Sequence, residues 1–323
     1  MSETSCEAIT QVLAKHYARV GVSTVNDPAD LQNLVSSRPD LVFLGMKYIT
    51  NDSALAMYDD KIWLTDYLDE HDIAYTGSGQ KAHELELDKP KAKQHLLNAG
   101  LKTSAFYEIL RDQPLKEENI SLNYPLFIKP TNRGGGLGID SDSVAHNFEQ
   151  LQTKVRSLRE DFRSDALVEE YLPGREFSVA ILKDEVRAEY STMPLELIAP
   201  LSDKGVRILS AQVKSEDSES FLRVDDSAIK LQINDLALRA FQVLGARDYG
   251  RIDIRLNASG TPQFLEANLI PSLIEGYGNF PKACLLNLGL DYESMILSIV
   301  KLGMARNISV EEIPYLLPVP VIA

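Results

Sequence analysis

The chain has 323 residues, of which 44% are hydrophobic and 25% charged, close to the average of folded globular domains. This length suggests two or three compact units, because single domains typically hold about 100 to 200 residues. The 33 Lys and Arg residues, set against 47 Asp and Glu, give a formal net charge of -14. Such a charge would repel a phosphate backbone or an anionic membrane surface, so neither nucleic acid nor a membrane is expected as a partner.

Cysteine content and the N-terminus indicate the compartment. The two cysteines cannot form a disulfide framework, and the start MSETSCEAITQVLAKHY lacks a basic segment followed by an apolar run. No stretch approaches the roughly 18 apolar residues of a membrane span. The five histidines are scattered without metal-ligand spacing, so a zinc site is not expected. These observations predict a cytoplasmic protein.

The first 82 residues alternate between helical and strand patterns. In chain order, the predicted elements are a helix to about residue 20, a strand at 22–25, a helix at 29–36, an apolar strand at 41–45, a helix over 60–69 and the strand IAYTG. This order predicts a small parallel α/β domain over residues 1–82.

The pattern changes to α+β beyond residue 82. Asp88 as N-cap, Pro90 in the first turn and Gly100 after the last turn delimit a helix. The later predicted elements are a strand in YPLFIKP, a glycine turn, a helix over SVAHNFEQLQTKVRSL, two strands in LVEEYLPGREFSVAIL, a helix at 227–244, a hairpin around Ser259, a loop at 269–286 and a helix at 292–304. Residues 194–226 have no clear period and are predicted to form an active-site lid, because structureless loops longer than about 15 residues are usually functional or disordered.

The segment YGRIDIRLNASGTPQFLEANLIP predicts a hairpin with one polar and one apolar face. Two runs of period two flank a turn at 259–260. Pairing about this turn sets Asp253 opposite Glu266, and Arg251 opposite Asn268, on one face. The other face is apolar and consists of Ile252, Ile254, Leu265 and Ala267.

Opposed acidic side chains on this hairpin indicate a cation site. Side chains in directly opposed pairs lie about 5 Å apart, and two carboxylates at that distance repel each other. A divalent cation removes the repulsion. Two carboxylates and an amide match Mg²⁺, which takes its other ligands from phosphates and water. From spacing alone, a solvated polar face explains the pattern equally well.

Two further features could bind phosphate. The segment IKPTNRGGGLGID exposes backbone N–H groups at four glycines, although it is neither a P-loop nor a dinucleotide fingerprint, and a plain flexible hairpin is the commoner outcome of such a cluster. Lys129 ends the preceding strand. Lys89 lies in the first turn of a helix, where a nearby anion would offset the unfavourable macrodipole; Asp88 and solvent could also offset it.

These elements, in this order, resemble the D-alanine–D-alanine ligase branch of the ATP-grasp superfamily. The resemblance rests on YTGSG, LDKPKAK, FIKPTNRGGGLG, LVEEYLPGREFSVAIL, YGRIDIRL and FLEANLIP, and it covers over half of the chain. It implies a two-part ATP-grasp fold after the N-terminal domain. The central subdomain would span residues 83–172 and the C-terminal subdomain residues 173–323.

The resemblance also implies how ATP is held. Lys89 and Lys129 would bind its phosphates beneath a closing loop that contains Gly134, Gly135 and Gly136. Adenine and ribose would be held by Glu169, Glu170, Leu172 and Glu176.

Further roles implied by the resemblance concern the metal and the reaction. Asp253, Glu266 and Asn268 would bind two Mg²⁺ ions, with Mn²⁺ as a second candidate. Arg251 would stabilise an acyl-phosphate and the oxyanion that follows it. Lys214 would reach the γ-phosphate from the lid, with a solvated loop lysine as the alternative.

The sequence departs from the family pattern in three places. The usual opening, a strand that leads into a glycine-rich loop and a substrate-orienting glutamate, has no counterpart, so the N-terminal domain is interpreted as truncated at its start. A serine pair of the phosphate loop is replaced by Gly135-Gly136. The usual PGMT run reads PSLI at 271–274. The ATP-binding residues are thus kept and the amino-acid-binding ones are not.

We predict an ATP-dependent carboxylate–amine ligase that joins an amino acid or small peptide to an amine, with release of ADP and phosphate. Two alternatives stay open, a ligase for a different amino acid in specialised biosynthesis and a catalytically silent ATP-binding protein. A third is that the apolar tail at 313–323 docks on a partner chain. A homodimer is a further expectation.

Overall fold

The computed structural model describes residues 1–50 and 61–306. The helices in this part are α1 (Glu3–Ala14), α2 (Pro28–Ser36), α3 (Leu64–Glu70), α4 (Gln80–Leu87), α5 (Lys89–Asn98), α6 (Phe148–Phe162), α7 (Ala211–Ser215), α8 (Ser227–Val243), α9 (Asn279–Leu288) and α10 (Tyr292–Met304). The strands are β1 (Tyr48–Thr50), β2 (Lys61–Trp63), β3 (Phe106–Ile109), β4 (Leu126–Pro130), β5 (Val144–Ala145), β6 (Ala166–Glu170), β7 (Glu176–Lys183), β8 (Tyr190–Ile198), β9 (Ser220–Arg223), β10 (Tyr249–Leu256) and β11 (Pro262–Asn268). The predicted tail at 313–323 lies outside the described residues.

A five-stranded antiparallel sheet forms the largest part of the fold. Its strand order is β11-β10-β7-β8-β9. On one face, Phe177 and Ile252 pack with Phe241 of α8. On part of the other face, Tyr249 packs with Phe280 of α9. The remainder of that second face carries the polar residues of the cleft described below.

A four-stranded antiparallel sheet, with the order β3-β6-β4-β5, faces the first sheet across this cleft. Its apolar face packs on α6, where Ile128 and Val168 contact a cluster that includes Leu151. Because side chains alternate along a strand, Lys129 and Glu169 point to the opposite face. A parallel bridge between Thr103 and Phe264 links the entry to β3 with β11 and so holds the two sheets together.

The N-terminal region differs from the predicted parallel sheet. Strands β1 and β2 pair antiparallel. Among the described residues of this region, the parallel pairing consists of one isolated bridge between Val42 and Tyr75. The segment predicted as a strand at 22–25 forms none, and Val22 is exposed. Leu44, in the apolar run predicted as a strand at 41–45, is fully buried. The apolar pattern therefore correctly predicted a core position, although the run forms no strand. Part of the helix predicted at 60–69 lies outside the described residues, and α3 begins at residue 64.

Two segments without a clear pattern contain regular structure. The loop predicted at 269–286 includes the start of α9, where Pro281 fits because the first helical turn needs no backbone N–H donor. The region 194–226 contains the end of β8, the short helix α7 and strand β9. Predicted helices at 227–244 and 292–304 are confirmed as α8 and α10. The helix expected over 143–158 instead spans Phe148–Phe162, after an Asn147 cap.

Within the described ranges, no helix is by itself long and apolar enough to cross a membrane. Helices α9 and α10 meet the length and composition criteria only as a pair bent by 104°. Both contribute residues to the core, among them Phe280 and Ile299. Ile9 of α1 belongs to the same cluster, so the first helix packs against the last described one.

Replacement of Asp88 should destabilise the start of α5. Its carboxylate accepts a hydrogen bond from the Lys91 backbone N–H at 3.0 Å, as the predicted N-cap requires. We expect Asp88→Ala to lower the free energy of unfolding by about 1 kcal/mol, whereas Asp88→Asn, which keeps an acceptor oxygen, should lose much less. Urea unfolding of the three proteins measures the difference, and an equal loss in both variants would contradict a capping role.

Candidate active site

A cleft lies between the two large sheets. Most of the predicted site residues line it, namely Lys129, Gly136, Glu169, Glu170, Leu172, Glu176, Lys214, Asp253 and Glu266. The other predicted site residues, which do not line the cleft itself, are Lys89, Gly134, Gly135, Arg251 and Asn268. Apolar walls are supplied by Phe127, Ile139, Ile208 and Leu209. The cleft therefore combines a few charged groups with apolar surface, as small-molecule sites commonly do.

The predicted register of the polar hairpin is confirmed. Asp253 pairs with Glu266, and Arg251 pairs with Asn268, between β10 and β11. The register then shifts after Asp253, so that Ile254 pairs with Phe264.

This irregularity makes Leu265 an extra residue in β11. Leu265 was predicted on the buried apolar face, but it is only half-buried and lines the cleft. Phe264 takes the core position instead, in one cluster with Ile252 and Ile254. The prediction for Leu265 was wrong because a β-bulge reverses the side-chain alternation beyond it.

Asp253 is held from three sides. The Arg251 guanidinium donates to both carboxylate oxygens, at 2.9 Å each. Ser178 and Asn268 also donate to it, at 2.9 and 3.0 Å. Burial alone would lower the pKa of Arg251, but the Asp253 carboxylate outweighs burial and raises that pKa above its ordinary value. Arg251 is thus a fixed, permanently charged group next to Asp253, which lines the cleft.

Glu266 has a longer ion-pair distance than three other carboxylates of the site, Asp253, Glu169 and Glu176. Its Oε2 lies 4.0 Å from the Lys89 ammonium, beyond hydrogen-bond distance. Burial would raise the pKa of Glu266, but the positive charges of Lys89, Lys129 and Lys214 outweigh burial and lower it. The side chain is therefore an ionised carboxylate that the surrounding positive charges of the described residues stabilise at long range and not through a short ion pair.

The donor set fits a hard divalent cation completed by a ligand. Asp253, Glu266 and Asn268 lie together on the hairpin and offer oxygen atoms. Within the described part of the chain, no group of three or more His, Cys, Asp and Glu side chains could hold a metal ion by itself. Any bound Mg²⁺ would consequently need phosphate oxygens and water to complete its coordination.

A buried carboxylate between two lysines forms the opposite wall. Lys129 Nζ lies 2.9 Å from one oxygen of Glu169, and Lys93 Nζ lies 2.5 Å from the other. Burial would raise the pKa of Glu169, but the two ammonium groups outweigh it and lower the pKa to about 2. Both oxygens of Glu169, which the resemblance assigned to adenine and ribose, are engaged by lysines in this arrangement. Its adenine role stays a prediction.

Lys93 is a site residue that the sequence reasoning missed. It is the third lysine of LDKPKAK and lies one turn after Lys89, so the helical period was the available signal. Its side chain is fully buried, and burial lowers its pKa to about 8 despite the charge of Glu169.

Lys89 connects α5 to the glycine-rich loop. Its ammonium donates a hydrogen bond to the carbonyl oxygen of Arg133, the residue before the first glycine of the loop. Burial lowers the pKa of Lys89, and the charge of Glu266 counteracts this effect. The helix that carries Lys89 thereby sets the position of the loop entrance.

The glycine-rich loop contacts the segment predicted as a lid. Gly136 has φ of +82°, and a Cβ at this position would lie 2.8 Å from the backbone nitrogen of Ala211 at the start of α7. Lys214, also on α7, lines the cleft. The Tyr277 hydroxyl donates to the Lys214 carbonyl oxygen at 2.6 Å. The glycine-rich loop and α7 are thus in contact at one side of the cleft.

The hinge between the two sheets supplies another wall of the cleft. Glu170 and the buried Leu172 line it, next to Glu176. Burial raises the pKa of Glu176, although Arg255 forms an ion pair with it at 3.1 Å. Arg255 also lies over the ring of Tyr171, 5.6 Å from its centroid.

A second buried network fixes the backbone beside the hairpin. Glu86 accepts from the Leu269 N–H at 2.8 Å and pairs with Lys47 at 2.8 Å and with His83 at 3.0 Å. Burial would raise the pKa of Glu86, but Lys47 and His83 together outweigh burial and lower the pKa. No sequence signal links Lys47 to Glu86, because the two meet only in the folded chain.

The fold and the cleft define a class. Two antiparallel sheets enclose a cleft with lysines on one wall and an acidic hairpin on the other, which is the arrangement of an ATP-grasp enzyme. D-alanine–D-alanine ligase from Bacillus anthracis, solved in complex with ATP, has the same fold, with a TM-score of 0.73 and 18% identity over 95% of both chains.

Sequence comparison places the chain within this class. The family described as "D-ala D-ala ligase C-terminus" matches residues 96–301. The chain is 31% identical to D-alanine–D-alanine ligase of Bordetella petrii over 229 residues, covering 71% of this chain and 67% of that protein. It is 32% identical to the Alcanivorax borkumensis ligase over 209 residues, covering 64% and 62%. The chain belongs to the D-alanine–D-alanine ligase family, which confirms the predicted ATP-grasp fold and an ATP-dependent ligase that forms a peptide-type bond.

A side chain at Gly136 should prevent the loop from closing on α7. Gly136→Ala places a Cβ against the α7 backbone and imposes a left-handed conformation that costs about 1 to 2 kcal/mol. We expect the Kd of Mg-ADP to rise roughly tenfold, as measured by calorimetry.

Gly134→Ala is the matched control for this change. Gly134 does not have a positive φ, and a Cβ there would meet nothing within 4 Å. Its Kd should stay near the wild-type value. If both substitutions raised the Kd of Mg-ADP equally, the effect would come from the stiffness of the loop and not from its contact with α7.

Proposed function

We propose that this chain activates the carboxylate of an amino acid or small peptide with ATP and joins it to an amine, releasing ADP and phosphate. The observation that carries the proposal is the cleft itself, in which buried Lys129 faces the pair Asp253 and Glu266. The phosphates of a triphosphate would bind the lysine of one wall, and its divalent cations would bind the carboxylates of the other wall. D-alanine, named in the relatives, is one candidate substrate.

The proposed metal site lies on the hairpin. Asp253, Glu266 and Asn268 would hold two Mg²⁺ ions, with Mn²⁺ as a second candidate. When bound, such ions neutralise charge on the transferring phosphoryl group. The long contact between Lys89 and Glu266 supports this assignment, since no short ion pair with another described residue occupies the carboxylate oxygens of Glu266.

The cationic side chains have separate tasks. Lys129 and Lys89, both buried, would bind and orient phosphate oxygens. Arg251 donates two of its five N–H groups to Asp253, so the remaining donors can meet the negative charge that develops on the acyl group. A carboxylate becomes a good electrophile only after its oxygen is converted into a phosphate leaving group.

Exclusion of water is the task of the loop and α7. An acyl-phosphate would hydrolyse if water reached it before the amine does. Gly136 packs against α7, and Lys214 on α7 lines the same cleft. We therefore assign α7 and the glycine-rich loop to the closing lid, with Lys214 directed to the γ-phosphate.

The amino-acid end of the site is proposed to differ from that of the named relatives. The run at 271–274 reads PSLI, and Tyr277 lies close behind it, bound to the α7 backbone. A ligase for another amino acid in specialised biosynthesis is consequently the main alternative. We further propose a cytoplasmic location, a homodimer, and the division at residues 82 and 172, where the second boundary falls between the two large sheets.

A phosphate-release screen tests the proposal. The protein would be incubated with Mg-ATP and pairs of amino acids and dipeptides of both chiralities, followed by mass analysis of the products. We expect one or a few pairs to release phosphate and give a product of the summed mass less water. Tight Mg-ATP binding with no ADP production for any pair would instead favour a silent nucleotide-binding protein.

Glu266→Gln should raise the requirement for Mg²⁺. The neutral amide removes one anionic ligand, so we expect the Mg²⁺ concentration that gives half-maximal phosphate release to increase roughly tenfold or more. Glu160→Gln, at an exposed position of α6, is the control and should match the wild type. An unchanged Mg²⁺ requirement in Glu266→Gln would argue against the assigned metal site.

Arg251→Lys should separate chemistry from binding. The lysine keeps a positive charge beside Asp253 but loses the bidentate contact and the additional donors. We expect turnover to fall by about 100-fold to 1,000-fold, with the Kd for Mg-ATP within about threefold of the wild type. A parallel loss of turnover and of nucleotide affinity would show that Arg251 acts in binding and not in catalysis.

A further inference from the structure

Lys93, Glu169 and Lys129 form a linear cluster, which we call the lysine–glutamate bridge. Each oxygen of the Glu169 carboxylate contacts one ammonium group, at 2.5 Å from Lys93 and 2.9 Å from Lys129. Ser104 also lies 3.3 Å from the oxygen that Lys93 contacts. Side-chain exposures of Lys93 and Glu169 are 0% and 2%, so solvent contributes almost nothing to their stabilisation.

The two lysines of the bridge differ in what they can reach. Lys129 lines the cleft, whereas Lys93 does not. Lys93 is instead enclosed by Thr103 and Ser104, which accept hydrogen bonds from it at 2.5 and 2.9 Å. Its ammonium also lies 5.6 Å from the centroid of Phe106. Lys93 therefore acts on a ligand only through Glu169.

Charge balance makes this indirect action necessary. A buried carboxylate needs a counter-charge, and one lysine could supply it. If Lys129 were that lysine, its positive charge would be balanced by Glu169. A phosphate would then have to compete with the Glu169 carboxylate for Lys129. With Lys93 opposite, the bridge carries two positive charges and one negative, which leaves a net positive charge at the end that faces the cleft.

We propose that Lys93 is a positioning residue that neutralises Glu169 from behind and thereby leaves the charge of Lys129 available to the phosphates of the nucleotide. This inference rests on the proposed nucleotide site. Lys93 itself contacts no phosphate. Without Lys93, the Glu169 carboxylate would be paired with Lys129 alone. It would then compete with phosphate for Lys129 and repel an approaching polyphosphate.

Lys93→Met is the direct test, because methionine is unbranched and of similar length but uncharged. Calorimetry with Mg-ADP should show a Kd roughly tenfold higher than that of the wild type. Lys91→Met is the matched control, since Lys91 lies on the same helix but is exposed, and its Kd should be unchanged. An unchanged Kd in folded Lys93→Met would overturn the inference.

A double-mutant cycle with Glu169→Gln separates positioning from a merely structural role. Once the carboxylate is neutral, Lys93 has nothing to compensate, so adding Lys93→Met to Glu169→Gln should change the Kd less than about twofold. A further tenfold loss in the double variant would overturn the proposal. This comparison also decides the question if Lys93→Met alone fails to fold, because the double variant removes the buried Lys93–Glu169 pair together and leaves Lys129, which lines the cleft, as the remaining charge of the bridge.

The outcomes also separate this inference from the proposed function. Absence of Mg-ADP binding by the wild-type chain would overturn the nucleotide site, and the inference with it. Tight binding by the wild type together with equal binding by Lys93→Met would overturn the inference alone.

Discussion

Compensation of buried charge is the constraint on which the site depends. Carboxylates enclosed between two sheets are tolerated only when an opposite charge lies within reach. Asp253 has Arg251, and Glu169 has two lysines. Glu266 is the exception, with its nearest cation at 4.0 Å. Within the described part of the chain, the protein thus leaves one carboxylate without a short ion pair at the place where we propose that a metal–phosphate complex binds.

The alternation of side chains explains how so many charges share one cleft. Each large sheet packs an apolar face on helices and turns charged residues to its other face. In the five-stranded sheet, Ile252 faces the core while its neighbours Arg251 and Asp253 face the opposite side. In the four-stranded sheet, Val168 packs on α6 and Glu169 faces the cleft. Two such sheets with their polar faces opposed form the cleft.

Family membership determines the reaction class, and local geometry bears on the substrate. The match over residues 96–301 includes both sheets of the cleft, and the reaction class follows from it. The segment after Asn268, which we propose to form the amino-acid end, is fixed by the contacts of Glu86 with the Leu269 backbone and of Tyr277 with α7. Glu86 also pairs with Lys47, so this segment is connected to the N-terminal region. On this proposal, the substrate changes while the charges of the cleft are kept.

The sequence by itself determined whatever depends on neighbours close along the chain. The Asp88 cap and the α8 and α10 helices follow from local periodicity and capping chemistry, and the structure confirms them. The predicted opposition of Asp253 and Glu266 is also confirmed, although it depends on the bulge that lies between this pair and the turn. Only the tertiary structure decided the bulge that turns Leu265 into the cleft, the burial of Lys93 behind Glu169 and the strands that the N-terminal region does not form. The physical reason is that burial, strand pairing and charge compensation depend on segments far apart in the chain, and no local pattern records which segments will meet.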